Sequence, residues 1–221
     1  MKKFLIIFSL IFINISAVTF SQNISKKLNN YRITNKEINF KHHIETYNLD
    51  NSLNVIIEIP SGSIEKWEVN ESGEAIELGI KKDNFSFIEY LGYPANYGFL
   101  PKTLLPTRDG VNGEAVDAIV LGPQLRTGQI VRCNVIGMLN INNQNLIDSK
   151  VICIDKSSDL NKYNSIKDLQ SMSPGILKII EIWFKNYQVE FVEILNYSKK
   201  NDAFKFIKKA QELYSKEIKN K

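Results

Sequence analysis

A chain of 221 residues with 43% hydrophobic and 24% charged residues is long enough to bury one ordinary core, and too apolar to remain disordered. Its 28 basic and 24 acidic residues leave a formal charge of +4. Losing Lys2 and Lys3 with a leader would reduce that further, so charge alone gives no case for a nucleic-acid partner.

The leader comes first. Met1-Lys2-Lys3 is a short basic start, Phe4 to Ile13 is apolar apart from Ser9, and Ser16, Ala17, Thr19 and Ser21 supply small residues. This pattern predicts an export signal cleaved after Ser21, and hence a periplasmic or secreted protein. The apolar run is too short to cross a bilayer comfortably and no second span follows, so no stable membrane anchor is expected. The predicted organisation is a signal peptide over 1–21, a polar extension over 22–52 and one domain over 53–221. The extension is rich in Asn and Lys and reads as extended or loosely ordered. Its adjacent His42 and His43 lack an accompanying cysteine or carboxylate cluster, and read as a surface pair.

From Leu53 onward the signals are mainly β. Leu53 to Ile59 is an apolar run stopped by Pro60, with a turn at Ser61-Gly62-Ser63. Lys66 to Val69 alternates. Ala118 to Leu121 ends at Gly122-Pro123, Ile130 to Leu139 runs into the turn-rich Asn140 to Asn145, and Val151 to Ile154 closes the set. Short strands separated by turns predict a closed or partly closed barrel. A reversal near Asn143 sets Cys133 and Cys153 roughly opposite each other; free buried thiols are favoured over a disulfide, whose geometry is demanding. Helical spacing then takes over. Pro174 opens a helix with the stripe Ile176, Leu177, Ile179, Ile180, Trp183, Phe184 and Tyr187, and a second begins near Asp202. The fold class is therefore mainly β with α (α+β).

The chain has no glycine-rich phosphate loop, nucleophile elbow or zinc spacing. Its chemistry gathers at strand ends: Glu58, Lys66 with Glu68, Tyr93-Pro94-Ala95-Asn96-Tyr97-Gly98, Asn112-Gly113-Glu114-Ala115-Val116-Asp117, and Asp148-Ser149-Lys150. Acids and lysines so placed suit a polyanion held through Mg2+, which takes sparse carboxylates plus substrate phosphate. They also suit ordinary solvated strand-end charges, and spacing alone does not separate the two.

The ordered set resembles the family I soluble inorganic pyrophosphatases. The likeness runs from about Asn54 to Tyr187 through Glu58-Ile59-Pro60, Lys66-Trp67-Glu68, Tyr93 to Gly98, Gly137-Met138-Leu139, Asp148-Ser149-Lys150, Pro174-Gly175 and Trp183 to Tyr187. It implies an OB-like five-stranded β-barrel with flanking C-terminal helices. It also implies Mg2+-dependent hydrolysis of pyrophosphate, or a related phosphate compound, commonly in homo-oligomers. By position, Glu58, Glu68, Asn112, Asp117, Asn143 and Asp148 would be metal ligands. Glu114 would stand at the base position, Asp117 and Tyr97 would take part in catalysis, and Lys66, Lys150, Tyr93 and Tyr187 would hold substrate.

The chain also departs from the family pattern. Asn112 and Glu114 stand where aspartates are usual, Asn143 and Gln144 where an acidic pair is usual, Phe85 at a phosphate-binding arginine and Gln188 at a lysine. Lysines 81 and 82 are candidate substitutes for the arginine. Charges of both signs are thus lost together. Three readings follow: a working enzyme with reduced activity, a weakened metal- and phosphate-binding relative, and an OB-type module for oligosaccharide or single-stranded nucleic acid. The retained acids, lysines and tyrosines favour the first two.

Overall fold

The computed structural model describes residues 31–81, 84–106, 113–143, 146–188 and 192–219. The leader, Asn112 and Gln144 lie outside the described residues. The strands are β1 (Arg32–Thr34), β2 (Leu53–Ile59), β3 (Trp67–Val69), β4 (Ala75–Leu78), β5 (Ile80–Lys81), β6 (Asn84–Phe85), β7 (Asn96–Leu100), β8 (Val116–Leu121), β9 (Ile130–Asn143), β10 (Leu146–Asp155) and β11 (Val192–Lys199). The helices are α1 (Ile166–Met172), α2 (Pro174–Asn186) and α3 (Lys200–Lys219).

The expected barrel is present. Its order is β10-β8-β7-β2-β9, with β9 pairing back to β10 to close the ring and β11 added outside β9. Closure depends on the length of β9. Its first residues pair with β2 from Ile130↔Ile56 to Cys133↔Leu53, while its later residues pair with both β10 and β11. The β8–β10 pair is parallel, and β9 provides the crossover. Closure removes free edges from the five core strands. Gly98 lets β7 approach β2, because a Cβ there would lie 2.0 Å from the Ile56 carbonyl oxygen.

The barrel interior is aliphatic. Leu53, Val55, Ile57, Ala118, Val120 and Val151 form a buried cluster onto which α3 sets Ala203, Ile207 and Ala210. Each such Val, Leu or Ile side chain contributes roughly 1.5–3 kcal/mol by leaving water. Cys133 and Cys153 are both buried and free. A register shift after Ile152 sets Cys153 against Val135 and Cys133 against Asp155, so the thiols are offset rather than opposite.

Several local expectations change. Asn140 to Asn143 continue β9 instead of turning, and β10 begins at Leu146, which places Asp148 and Lys150 within a strand. The tyrosine motif leads into β7. In α2, Leu177, Ile180, Trp183 and Phe184 are buried, whereas Ile179 is exposed. α3 starts at Lys200, two residues ahead of the predicted point. The end of the extension is packed: Phe40 is buried, Thr46 Oγ1 donates to the Pro101 carbonyl at 2.7 Å, and His42 Nδ1 lies 2.7 Å from the Tyr214 hydroxyl. His42 is therefore a packing residue.

Candidate active site

The barrel strands build one wall. The parallel register Val151↔Ala118 sets the preceding residues, Lys150 and Asp117, side by side. Period-two alternation then puts Asp148 on the same face of β10 as Lys150. Lys150 is 5% exposed, and its Nζ lies 2.7 Å from Asp117 Oδ2 and 2.8 Å from Asp148 Oδ2. Burial works against the ammonium, but the two carboxylates outweigh it and hold Lys150 far above the ordinary lysine range. The Tyr97 ring lies beneath, its centroid 5.3 Å from Nζ. Burial, followed by the charges of Asp117 and Asp148, pushes the Tyr97 hydroxyl well above its ordinary value.

An aromatic stack joins this wall to α2. Tyr93 packs on Tyr97 at 5.4 Å and on Trp183 at 4.5 Å, and Trp183 stacks on Tyr187 at 4.4 Å and 12°. The indole Nε1 donates to the Leu91 carbonyl at 2.8 Å, tying α2 to the loop before the tyrosines. Asn96, between the two tyrosines, is fully buried. Its amide donates to the Pro123 carbonyl at 2.9 Å and its oxygen accepts from the Ser61 and Leu125 amides. This part of the motif holds three loops together. Tyr187 lies within electrostatic reach of Lys150, Asp148 and Lys66, and its hydroxyl receives a hydrogen bond from Gln188 Nε2.

The opposite side is built by a bulge and a hairpin. β2 pairs Ile57 with Gly98 and Ile59 with Tyr97, so Glu58 is the extra residue of a bulge. Bulges re-aim side chains beside functional sites. Glu58 is 8% exposed and accepts from the Val69 amide at 2.7 Å. Burial, with nearby Asp117 and Glu68 adding and Val69 and Lys41 opposing, pushes its carboxyl up to about 8. Lys66 and Glu68 pair at 2.6 Å on the open rim. Burial alone would lower Lys66, but Glu68 outweighs it and holds it above the ordinary range. Glu114 is raised, first by burial and then by Asp117.

The structure thus brings together Glu58, Lys66, Glu68, Tyr93, Tyr97, Glu114, Asp117, Asp148, Lys150 and Tyr187. Asn143 stands at the end of β9, two positions beyond Asp148's partner Ile141. Its Oδ1 is buried with no hydrogen-bond partner among the described residues. Lys41, from the extension, was not anticipated. It lies within electrostatic reach of Glu58 and Glu114, and no local pattern marks it in the sequence.

These residues fit a hard cation. Two carboxylates already converge on a positive ammonium, a third is raised chiefly by burial, and an amide oxygen has no partner among the described residues. Among the described residues no group of three or more Asp, Glu, His or Cys side chains is arranged to hold a metal ion.

Comparison with known proteins agrees. The family model described as inorganic pyrophosphatase matches residues 55–215. The inorganic pyrophosphatase of Gluconobacter oxydans is 31% identical over 167 residues, 73% of this chain and 91% of that protein. That of Campylobacter jejuni is 31% identical over 178 residues, 80% and 96% of the two chains. The apo vacuolar soluble pyrophosphatase of Trypanosoma brucei superposes with a TM-score of 0.75 at 27% identity, over 82% of this chain and 54% of that one, so this chain spans about half its length. The N-terminally truncated Trypanosoma cruzi enzyme, solved in complex with PPi, gives 0.73 at 27% identity over 80% and 78%.

Proposed function

The chain belongs to the inorganic pyrophosphatase family and hydrolyses pyrophosphate to two phosphates, and we propose that it does so with Mg2+ at the Asp117–Asp148–Lys150 wall. The observation that carries this reading is the buried Lys150 ammonium held between two carboxylates above Tyr97. Asp117, Asp148, Glu58, Glu68 and the amide of Asn143 would hold the metal; Asn112 is assigned by sequence position alone. Bound there, a divalent cation lowers the pKa of water and neutralises phosphate charge.

The protein's own groups do the rest. Lys150 and Lys66 present ammonium protons to phosphate oxygens. Tyr93, Tyr97 and Tyr187, all raised by burial, remain neutral and donate hydrogen bonds. Glu114, its carboxyl raised first by burial and then by Asp117, accepts a proton from the attacking water as the water oxygen bonds to one phosphorus, the bridging P–O bond breaks and the second phosphate departs. The test is phosphate release from pyrophosphate across a Mg2+ series. Release that saturates with Mg2+ supports the assignment; none at saturating Mg2+ removes it. A catalytically weakened relative that binds metal and phosphate without efficient turnover is the second reading. It is favoured by Gln188, whose neutral amide sits on the Tyr187 hydroxyl where the resemblance calls for a cation.

Export after Ser21 is proposed on the leader pattern. N-terminal sequencing of native material that found Met1 retained in the cytosol would remove it. A homo-oligomer is proposed on the family resemblance, supported by exposed Met172, Ile179 and Ile182. Light scattering that gave the mass of a single chain would remove that.

A further inference from the structure

We propose that Thr103 is a positioning residue for pyrophosphate hydrolysis: its buried hydroxyl splices β7 to β8 and so fixes the strand entrance that delivers Glu114 and Asp117 to the site. Leu100, the last residue of β7, and Val116, the first of β8, are register partners, and Phe99 pairs with Asp117 one step further in. Thr103 is 4% exposed. Its Oγ1 donates to the Leu100 carbonyl at 2.6 Å and accepts from the Val116 amide at 2.9 Å. One hydroxyl thus bridges the backbones of two facing strand ends, at the step immediately before Asp117. The residues after Thr103 are tied down as well. The Leu105 amide donates to the Glu114 carbonyl at 2.7 Å, and the Leu104 amide donates to the Ala210 carbonyl of α3 at 3.0 Å. Gly113 lies so close to this segment that a Cβ there would stand 2.0 Å from the Leu105 carbonyl oxygen. Residues 103–105 therefore hold both acids through the backbone, Glu114 by way of Leu105 and Asp117 by way of Val116.

The inference rests on the reading above, in which Glu114 takes the proton from water and Asp117 holds metal. A hydroxyl serves at this place because it donates and accepts at once. A valine of nearly the same shape would leave the Leu100 carbonyl and the Val116 amide unpaired in a buried position. Asp117 would then have to meet Lys150, now 2.7 Å away, from a looser strand start. A displacement of about 1 Å in a catalytic group can cost about a hundredfold in rate. Thr103 acts through Val116 and Asp117, since both of its hydroxyl bonds go to backbone. Thr46 offers an internal contrast. It too is fully buried, donating to the Pro101 carbonyl at 2.7 Å and accepting from Gln211 Nε2 at 3.0 Å, but neither partner adjoins an acid of the site.

Steady-state kinetics at saturating Mg2+ and calorimetric titration with Mg2+ alone test this, on Thr103→Val, Thr103→Ser and Thr46→Val, each held well below its measured Tm. Thr103→Val should lose about tenfold to a hundredfold in kcat, with KM for pyrophosphate within about twofold of the parent. Mg2+ alone should bind it about threefold more weakly, because affinity for a hard cation follows the rigidity of its ligands. Thr103→Ser, which keeps the hydroxyl, should return kcat to within about threefold of the parent. Thr46→Val should lower Tm and leave kcat and Mg2+ binding at the parental values. Parental kcat or parental Mg2+ binding in a folded Thr103→Val, or an equal loss of kcat in Thr46→Val, overturns the inference and leaves the hydrolysis reading standing. A Thr103→Ser variant that loses about tenfold or more in kcat overturns it even if Thr103→Val does not fold. No phosphate release from the parent at saturating Mg2+ removes the reading and this inference together.

Discussion

The two sides of the site are made of different material. The Lys150 wall grows from paired barrel strands, its lysine 5% exposed and bonded to two carboxylates. The Lys66–Glu68 rim grows from a short hairpin, with its side chains 41% and 53% exposed. On the wall every residue expected from the family pattern is present. The replaced positions lie elsewhere: Phe85 on a two-residue strand, Gln188 just past α2, Asn143 at the end of β9 and Asn112 in the segment before β8. Strand residues are fixed by register, since a slip of one position would turn Asp117 and Lys150 into the core. Gln188, past α2, carries no such constraint and changes at less structural cost, while Phe85 and Asn143 are paired residues at strand ends. The replaced charges thus lie outside the wall, which keeps Asp117, Asp148 and Lys150.

The largest expected effect is at the wall. Asp117→Asn removes the carboxylate nearest to Lys150 and should reduce pyrophosphate hydrolysis by about 10³-fold or more, the scale for losing a preorganised charged group. The fold should survive, because Asp148 still faces the ammonium and the amide oxygen can still accept. A stability loss of about 1–3 kcal/mol is expected from the weakened hydrogen bonding. Steady-state rates and thermal unfolding check the two parts separately. Hydrolysis that persisted in this variant would place the chemistry away from the wall.

The same contrast governs what could be read in advance. The barrel was legible because Leu53 to Ile59, Ala118 to Leu121 and Val151 to Ile154 are apolar runs cut by proline, glycine or charge. β11 was not, because Val-Glu-Ile-Leu-Asn-Tyr-Ser-Lys buries only Val192 fully and lies outside the closed ring, so its pattern is mostly polar. α1 was missed because its seven residues form too short a stripe, although Ser165 caps it by accepting from the Asp168 amide. The carboxylates, lysines and tyrosines of the site stood out as an ordered set. Lys41 did not, because its position depends on a turn held by Asn39 and Phe40 rather than on any period.

A middle-sized effect concerns Glu58, which links wall and rim. Its carboxyl is pushed from 4.5 up to about 8 in the folded protein, chiefly by burial. The folded chain therefore keeps a proton that the unfolded chain gives up. The resulting stability is fully present below 4.5 and is lost as pH rises through about 8. Metal-free protein should show a Tm that falls across this window, and Glu58→Gln should flatten the slope. Mg2+ should flatten it too, since a cation beside the ionised carboxylate relieves its burial. A Tm profile that Glu58→Gln leaves unchanged would assign the pH dependence to another group.

The smallest effects lie at the rim, where restoring charge should improve the site without disturbing the wall. Gln188→Lys would replace the amide on the Tyr187 hydroxyl with an ammonium. Phe85→Arg would place a guanidinium on the β5–β6 hairpin, where Phe85 is 41% exposed. A well-placed donor contributes about 2–4 kcal/mol to phosphate chemistry when it is preorganised. Neither new side chain would be held as Lys150 is, by two carboxylates and burial, so a gain of only about threefold to tenfold is expected from each. Gln188→Lys should give the larger share, because residue 188 already touches Tyr187. Measuring kcat and KM at saturating Mg2+ separates improved chemistry from improved metal capture. A fall in kcat for Gln188→Lys would show that the amide orients Tyr187 in a way a lysine cannot, making Gln188 part of a rebuilt site rather than a lost cation.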